Sequence, residues 1–337
     1  EVTGYPGAPT KDALTLRVMH ANTPQIGEFT CSEDIINRVQ NNIVWGARSN
    51  FYSVPTDCPQ RDERLGWTGD MQLFLSAACM NFDIAGYMTK WMQDIADSRN
   101  ADGSIPDVVP ALSAAPGAPG WSDIVVSLPW SMLRYYGDTR IAEENLEAME
   151  GHLDFMRGMA KDGLFSRGRY GDWVALEDTP RDALAGAYQY LSTKRLSAMS
   201  KVVGKEAAAS ALDLEARELA DLYNARYFDA ATGVYQTGSQ TAQVVPLAFG
   251  ITPEEQRAAV AAKLSEKILA RDNHLATGFI GSAYLMPALS DNGLDAQAAI
   301  LANNRTYPSW GYMAESGATT IWERWNSDQE EATKSGM

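Results

Sequence analysis

The feature that most constrains the fold is a helical periodicity that begins at Ser32 and continues along most of the chain. Its first segment has Ser32 as a candidate N-cap, followed by apolar residues at Ile35, Ile36, Val39 and Ile43. Together with this one, about ten or eleven such segments occur in pairs, divided by loops rich in Gly, Pro and Asn. No short repeat period accompanies them. The pattern predicts an all-α protein, built as an open superhelix or as a closed ring of two helical layers.

The first 25 residues have a different pattern. The stretch ALTLRVMHA alternates apolar and polar residues, which is typical of a β-strand, and Gly and Pro flank it. We therefore expect residues 1–25 to be a β segment or linker from an upstream β domain. Residues 26–337 are expected to form one helical domain.

Composition excludes several classes of partner. The net charge of −15 and the pI near 4.7 argue against nucleic acid and anionic membrane, which both attract a positive surface. No run of about eighteen apolar residues is present, so no membrane-spanning helix is expected. The three cysteines, Cys31, Cys58 and Cys79, lack metal-ligand spacing, and none of the three histidines lies near them. We expect small buried thiols, no metal and no cofactor.

Tryptophan and acidic residues are concentrated in one alternating set of long loops. Seven of the nine tryptophans lie in or beside these loops: Trp67, Trp121, Trp130, Trp173, Trp310, Trp322 and Trp325. Indole rings stack on the apolar face of a pyranose while carboxylates accept hydrogen bonds from its hydroxyls. Packing in the core is the alternative. In a closed ring these loops would meet at one end, so the pattern favours a carbohydrate site there.

Glycoside hydrolysis requires one protonated and one ionised carboxyl group. Glu63 suits the protonated role if DERLGWTGD begins a helix, since Trp67 would then lie four residues on and form an apolar wall that raises the pKa of Glu63. Asp57, Asp62 and Asp70 would surround it. The alternative for these carboxylates, Asp62 above all, is capping of a helix N-terminus.

Glu323, in GATTIWERW, is the best candidate for the ionised carboxylate. The alternative is an exposed ion pair with Arg324, which would contribute little to stability. Glu63 and Glu323 lie near the two ends of the helical series. A closed ring would bring them together, whereas an open superhelix would keep them apart.

Several motifs resemble one family in their order. The stretch NFYSVPTDCPQRDERLGWTGDMQ is similar to the signature of the bacterial α-L-rhamnosidases, glycoside hydrolase family 78. GWSD, YGDW, TGFIGSAYLMPAL, YPSWGYM and GATTIWERW follow in the order of that family. The similarity extends from Gly27 to about Asn326, and the first and last motifs are the most specific.

The resemblance implies an (α/α)6 barrel that hydrolyses terminal α-L-rhamnose with inversion and without a metal. It implies that Glu63 is the general acid and that Glu323 is the general base, acting through water. The predicted substrate-binding residues are Asp57, Arg61, Asp62, Trp67, Asp70, Trp121, Asp123, Asp172, Trp173 and Trp322. Arg61 either orients the acidic cluster or binds the sugar. The implied partner is a rhamnose-containing glycoside, with the bacterial cytoplasm or periplasm as the compartment.

One departure from the family pattern concerns the end of the sequence. The family continues into a segment with an Asn-His pair, a last helix and a small β domain, whereas this sequence ends at NSDQEEATKSGM. We therefore expect a fragment with an incomplete helical domain. Two alternatives remain at this stage: another α/α-barrel glycosidase acting on fucosides or glucosides, and a carbohydrate-binding module without turnover.

Overall fold

The computed structural model describes residues 3–112 and 117–329. Its α-helices are α1 (Asp34–Asn50), α2 (Thr68–Asn81), α3 (Ala85–Asp97), α4 (Ile124–Tyr136), α5 (Arg140–Glu144), α6 (Leu146–Gly158), α7 (Arg181–Val202), α8 (Glu206–Tyr227), α9 (Gln240–Phe249), α10 (Arg257–Leu269), α11 (Phe279–Ser290), α12 (Asp295–Asn303) and α13 (Trp310–Glu315). The strands in these ranges form two antiparallel hairpins of two-residue strands: β1 (Ala160–Lys161) with β2 (Leu164–Phe165), and β3 (Phe228–Asp229) with β4 (Val234–Tyr235).

The helices close into a ring. Helices α2, α4, α7, α9 and α11 contact one another in that order, and α11 packs back onto α2. The first and last helices also meet, since α13 packs against α1. At that junction Arg38 donates to the carbonyl oxygen of Ala314, and Asn42 donates to that of Ala318 at 2.9 Å. The prediction of an all-α toroid is therefore confirmed, and the open superhelix is excluded.

Burial explains which helices lie inside. Helix α4 buries eight of its thirteen residues and α9 buries nine of its ten, so neither has a polar face to turn to solvent. Helix α1 buries only four residues of seventeen, on one side. Cys58 and Cys79 are buried as predicted, whereas Cys31 is partly exposed. None of the helices in the described ranges is long and apolar enough to cross a membrane.

The strand predicted near the N-terminus is absent from the described residues 3–25. Lys11–Ala13 form a short 3-10 turn, and the segment after it has no regular structure. Leu14, Leu16 and Val18 are 63%, 96% and 66% exposed. Alternation gives a segment two faces, but a strand also needs a neighbour for its backbone hydrogen bonds. The β pairing found within residues 3–25 is a single bridge between Gln25 and Phe82, so the assignment of this segment to a separate β domain stays a prediction.

Candidate active site

Four loops meet at one end of the ring. They are the segments before α2, between α3 and α4, between β2 and α7, and after α13. Arg61 of the first loop reaches Glu323 of the last, and the aromatic rings of the first and third loops touch. The closed ring thus brings together loops that are far apart in the chain, and these are the loops richest in Trp and acidic residues.

Glu63 and Glu323 lie on two sides of one guanidinium group. Arg61 donates from Nε and Nη2 to Oε2 of Glu63 at 2.9 and 2.8 Å, and from Nη1 to Oε2 of Glu323 at 2.9 Å. Both carboxylates are accessible, with side chains 29% and 31% exposed. Because a guanidinium is small and planar, two oxygens bound to it lie at most about 8 Å apart. The two carboxylates therefore lie within a separation that a sugar and a water molecule could bridge.

Glu63 and Trp67 are in contact as predicted, but a turn rather than a helix brings them together. Helix α2 begins at Thr68, and the chain before it bends at Arg64, whose φ is +52°. The indole Nε1 of Trp67 donates to Oε1 of Glu63 at 2.8 Å. Partial burial raises the pKa of Glu63, but the hydrogen bonds from Arg61 and Trp67 and the charge of Arg61 together hold its pKa below the usual value. The expectation that Trp67 raises this pKa is wrong for this structure, because the ring presents its N–H rather than its apolar face.

Asp57 lies beside Glu63. Its Oδ1 accepts the backbone N–H of Leu65 at 2.7 Å, and its Oδ2 accepts the thiol of Cys58 at 2.9 Å. Burial raises the pKa of Asp57 and raises that of the Cys58 thiol to about 12, so the thiol stays neutral. Ligand atoms of Asp57, Cys58 and Glu63 lie within 4.8 Å of one another. Arg61 already supplies positive charge there, so a cation would compete with it.

Asp70 lies deeper, in the first turn of α2. Burial, and then the negative charges of Asp57, Glu323 and Glu63, raise the pKa of Asp70 to about 8. At neutral pH this carboxyl group is mostly protonated, so it can donate a hydrogen bond as well as accept one. A neutral acid close to the carboxyl groups of Asp57 and Glu63 suits a sugar hydroxyl.

Asp62 does not join this group. Its side chain is fully exposed and forms an ion pair with Arg64 at 3.0 Å. The carboxylates that the structure gathers at this end are thus Asp57, Glu63, Asp70 and Glu323, while Asp62 points away from them.

The aromatic residues form a connected cluster. The ring of Tyr170 lies edge-on to Trp67 and Trp173, with centroids 5.7 and 6.3 Å away, and tilted against Trp121 at 4.6 Å. Trp173 is 38% exposed and its Nε1 donates to Oε1 of Glu323 at 3.3 Å, whereas Trp121 is only 3% exposed. Trp67 and Trp173 therefore border the two carboxylates, and Trp121 supports them from behind. Sequence reasoning missed Tyr170, although it stands in the YGDW motif.

Asp172 and Asp123 use their oxygens within the protein. Asp172 accepts from the hydroxyl of Thr241 at 2.5 Å and from the N–H groups of Gly278 and Gly281 at 2.8 and 3.0 Å, so it caps the N-terminus of α11. Asp123 is 1% exposed, and its Oδ2 accepts the N–H of Gly120 at 2.7 Å. These carboxylates were predicted as sugar ligands, but in this structure they hold the loops that carry Trp173 and Trp121.

The remaining tryptophans play varied parts. Trp322 is partly buried and precedes Glu323 in the sequence. Its ring lies edge-on to that of Tyr312, with the ring centroids 6.4 Å apart. Trp325 is 7% exposed, packs on Trp310 and donates to the carbonyl oxygen of Thr277 at 2.9 Å. Trp130 lies within α4. All four pack against the hydrophobic core, which is the alternative interpretation of the tryptophan pattern, and the sugar-binding role of Trp322 stays a prediction.

A closed helical toroid with acidic and aromatic loops at one end defines the class of six-hairpin glycosidase domains. Residues 24–337 match the family model described as the bacterial alpha-L-rhamnosidase 6 hairpin glycosidase domain, and the chain belongs to that family.

Named relatives agree with this assignment. The chain is 39% identical over 331 residues to an alpha-L-rhamnosidase of Streptomyces avermitilis, covering 98% of this chain and 32% of the relative. It is 35% identical to an alpha-L-rhamnosidase of Formosa agariphila, covering 97% of this chain and 36% of the relative. The crystal structure of the S. avermitilis alpha-L-rhamnosidase complexed with L-rhamnose superposes with a TM-score of 0.94 at 38% identity, covering 98% of this chain and 32% of that one. The chain thus spans about a third of the length of the curated relatives it matches.

Proposed function

We propose that this domain hydrolyses terminal α-L-rhamnosides with inversion, with Glu63 as general acid and Glu323 as general base. The observation that carries the proposal is the placement of these two carboxylates around one guanidinium, in the space bordered by Trp67 and Trp173. Relatives named alpha-L-rhamnosidase, one of them solved with L-rhamnose, supply the substrate class. Inverting glycosidases hold their carboxyl groups about 6.5–9.5 Å apart, a range that overlaps the limit of about 8 Å set by Arg61.

The reaction needs a change in the charge state of Glu63. In this structure Arg61 and Trp67 favour its ionised form. We expect the substrate to draw the guanidinium away from Glu63, after which Glu63 takes up a proton. That proton passes to the glycosidic oxygen as the bond between this oxygen and C1 of the sugar breaks. Water attacks C1 from the opposite face and gives its proton to Glu323.

The other groups bind the sugar. The protonated carboxyl of Asp70 and the carboxylate of Asp57 offer a donor and acceptors to ring hydroxyls. Trp67 and Trp173 offer aromatic surface to the C–H face and the methyl group of rhamnose. Arg61, once displaced from Glu63, remains close enough to Glu323 and Asp57 to hydrogen bond a sugar hydroxyl.

The test is hydrolysis of p-nitrophenyl α-L-rhamnoside by the full-length protein and by Glu63→Gln and Glu323→Gln variants. Loss of a general acid or base lowers kcat by about 10²- to 10⁴-fold, and we expect losses in this range with unchanged folding. Glu315→Gln is the matched control, because Glu315 forms an ion pair with Arg305 outside the site. Activity near that of the wild type in either site variant would contradict the assignment. A wild-type protein that binds rhamnose without hydrolysing a rhamnoside would indicate a binding module.

Asp70 is a second candidate for the general acid, because its pKa is raised to about 8 whereas that of Glu63 is lowered. The leaving group separates the two candidates. A variant of the true acid loses less activity on the activated p-nitrophenyl glycoside than on an alkyl rhamnoside, because a good leaving group needs less protonation. We expect this pattern for Glu63→Gln and an equal loss on both substrates for Asp70→Asn.

A further inference from the structure

Asp107 is a buried carboxylate to which no part of the reaction above gives a role. It is 3% exposed and lies in the loop between α3 and α4. Its Oδ1 accepts the backbone N–H of Ala118 at 2.9 Å, and its Oδ2 accepts Nη1 of Arg169 at 3.1 Å and the hydroxyl of Tyr170 at 3.2 Å. The carboxylate therefore joins its own loop to the loop that carries Tyr170 and Trp173.

The backbone of Asp107 fixes a third segment. Its carbonyl oxygen accepts both the N–H and the hydroxyl of Thr68, at 2.9 and 3.0 Å, which satisfies donors at the start of α2. The next residue, Val108, forms a β bridge with Trp67. One residue thus connects all three segments that carry the aromatic cluster.

Tyr170 links Asp107 to both catalytic carboxylates through two tryptophans. Its ring packs between Trp67 and Trp173, and these two indoles donate to Glu63 and Glu323 respectively. A shift of the phenol ring would therefore loosen both indole hydrogen bonds at once. The guanidinium of Arg169 lies 5.0 Å from the centroid of the phenol ring and restrains it from one side.

We propose that Asp107 is a positioning residue which, through the hydroxyl of Tyr170, sets the two indole N–H groups that hold the general acid and the general base. The inference rests on the proposed function, since it takes Glu63 as the acid. A buried aspartate that only stabilises the fold would leave the catalytic parameters of the folded enzyme unchanged. A positioning role changes the hydrogen bond from Trp67 to Glu63, which helps to lower the pKa of Glu63.

The test compares Tyr170→Phe, which removes only the hydroxyl, with Asp107→Asn in the full-length protein. An Asn side chain has a single carbonyl oxygen for the donors that now share two carboxylate oxygens. For both variants we expect kcat on p-nitrophenyl α-L-rhamnoside to fall about 3- to 30-fold, with KM within about threefold of the wild type. We also expect the alkaline limb of the profile of kcat/KM against pH to move to higher pH.

Tyr136→Phe is the matched control. The hydroxyl of Tyr136 also bonds within the protein, to the N–H of Ile84 and the carbonyl oxygen of Phe82 at 3.0 Å, but far from the cluster. We expect it to lower Tm while leaving the pH profile unchanged.

If the proposal is correct, the double variant Asp107→Asn, Tyr170→Phe loses no more kcat than the worse single variant, because both act through one hydrogen bond. A kcat and a pH profile like those of the wild type in Tyr170→Phe would overturn the proposal, whatever happens to Tm. Failure of the proposed function would show separately, as full activity in Glu63→Gln.

Discussion

Glu63 and Glu323 both accept hydrogen bonds from the guanidinium of Arg61, although they come from opposite ends of the helical series. The closed ring makes this possible, because α13 packs back against α1. In this arrangement the positive charge lies between the two carboxylates that we propose as acid and base. The hydrogen bonds and the charge of Arg61 help to hold Glu63 in its ionised form, so the proposed reaction requires Arg61 to move before a proton can be transferred.

Removing the charge of Arg61 should change the pH dependence. With Arg61→Gln the partial burial of Glu63 is no longer opposed by the guanidinium, so the pKa of Glu63 rises. The acid must be protonated to act, and the activity of the free enzyme falls as pH rises through this pKa. We expect the alkaline limb of the profile of kcat/KM against pH to move to higher pH, even if the highest value of kcat/KM falls. Arg64→Gln, which breaks only an exposed pair with Asp62, is the control. An unmoved limb, or one moved to lower pH, would contradict the account.

Asp70 should make stability depend on pH. Its pKa in the folded protein, about 8, lies above the ordinary value of 3.8, so the folded state holds this proton more tightly. That contribution to stability is complete below about pH 4 and is lost as pH rises towards 8, at no more than about 1.4 kcal/mol per pH unit. Asp70→Asn, which resembles the protonated form, should therefore gain stability relative to the wild type between pH 5 and pH 8. Urea unfolding across that range measures the difference, with Asp62→Asn as the surface control. If the free energies of unfolding of the wild type and of Asp70→Asn changed in parallel with pH, the prediction would be wrong.

Gly69 allows the approach of Trp121. A Cβ atom at Gly69 would lie 2.4 Å from Cε2 of the indole, and Trp121 is almost fully buried, so it has little room to yield. Gly69→Ala should lower the free energy of unfolding by about 1–3 kcal/mol and disturb the aromatic cluster. Gly86→Ala, in α3, meets nothing within 4 Å and should be neutral or stabilising by up to about 1 kcal/mol. Equal stability for the two variants would show that Trp121 moves aside freely.

Asp172 should matter to both the fold and the reaction. Its carboxylate accepts three hydrogen bonds at the start of α11, and an Asn amide would set an N–H against one of these donors. We expect Asp172→Asn to lose about 1–3 kcal/mol of stability. The carbonyl oxygen of Trp173 accepts the N–H of Phe279 in the same junction, so the indole beside Glu323 should shift and kcat should fall. Asp178→Asn, at an exposed position in the same loop, is the control. Wild-type kcat in folded Asp172→Asn would show that this anchor is not needed for catalysis.

Much of the fold was predictable from the sequence because its cause is local. The helical spacing from Ser32 onward and the loops between the segments predict a series of paired helices, and the structure contains them. Closure of the ring was predictable from the family motifs, whereas the helical spacing alone also allowed an open superhelix. The expected N-terminal strand does not form within the described residues 3–25, since a strand depends on a partner that alternation does not reveal.

The charge state of the site could not be predicted in the same way. The turn that lets the N–H of Trp67 point at Glu63 depends on where α2 begins and on the backbone of Arg64. The capping role of Asp172 depends on α11, which lies about a hundred residues further along the chain. Asp107 lies in none of the motifs, because the role proposed for it depends on the three segments that meet around it.

The stereochemistry of the first product tests most directly whether Glu63 and Glu323 act as acid and base across a water molecule. Proton NMR of the full-length protein with an α-L-rhamnoside follows the anomeric signals before mutarotation mixes them. The account predicts that β-L-rhamnose appears first and that the α anomer follows only at the rate of spontaneous mutarotation. Initial release of α-L-rhamnose would mean that one carboxylate attacks the sugar directly, which would contradict the account.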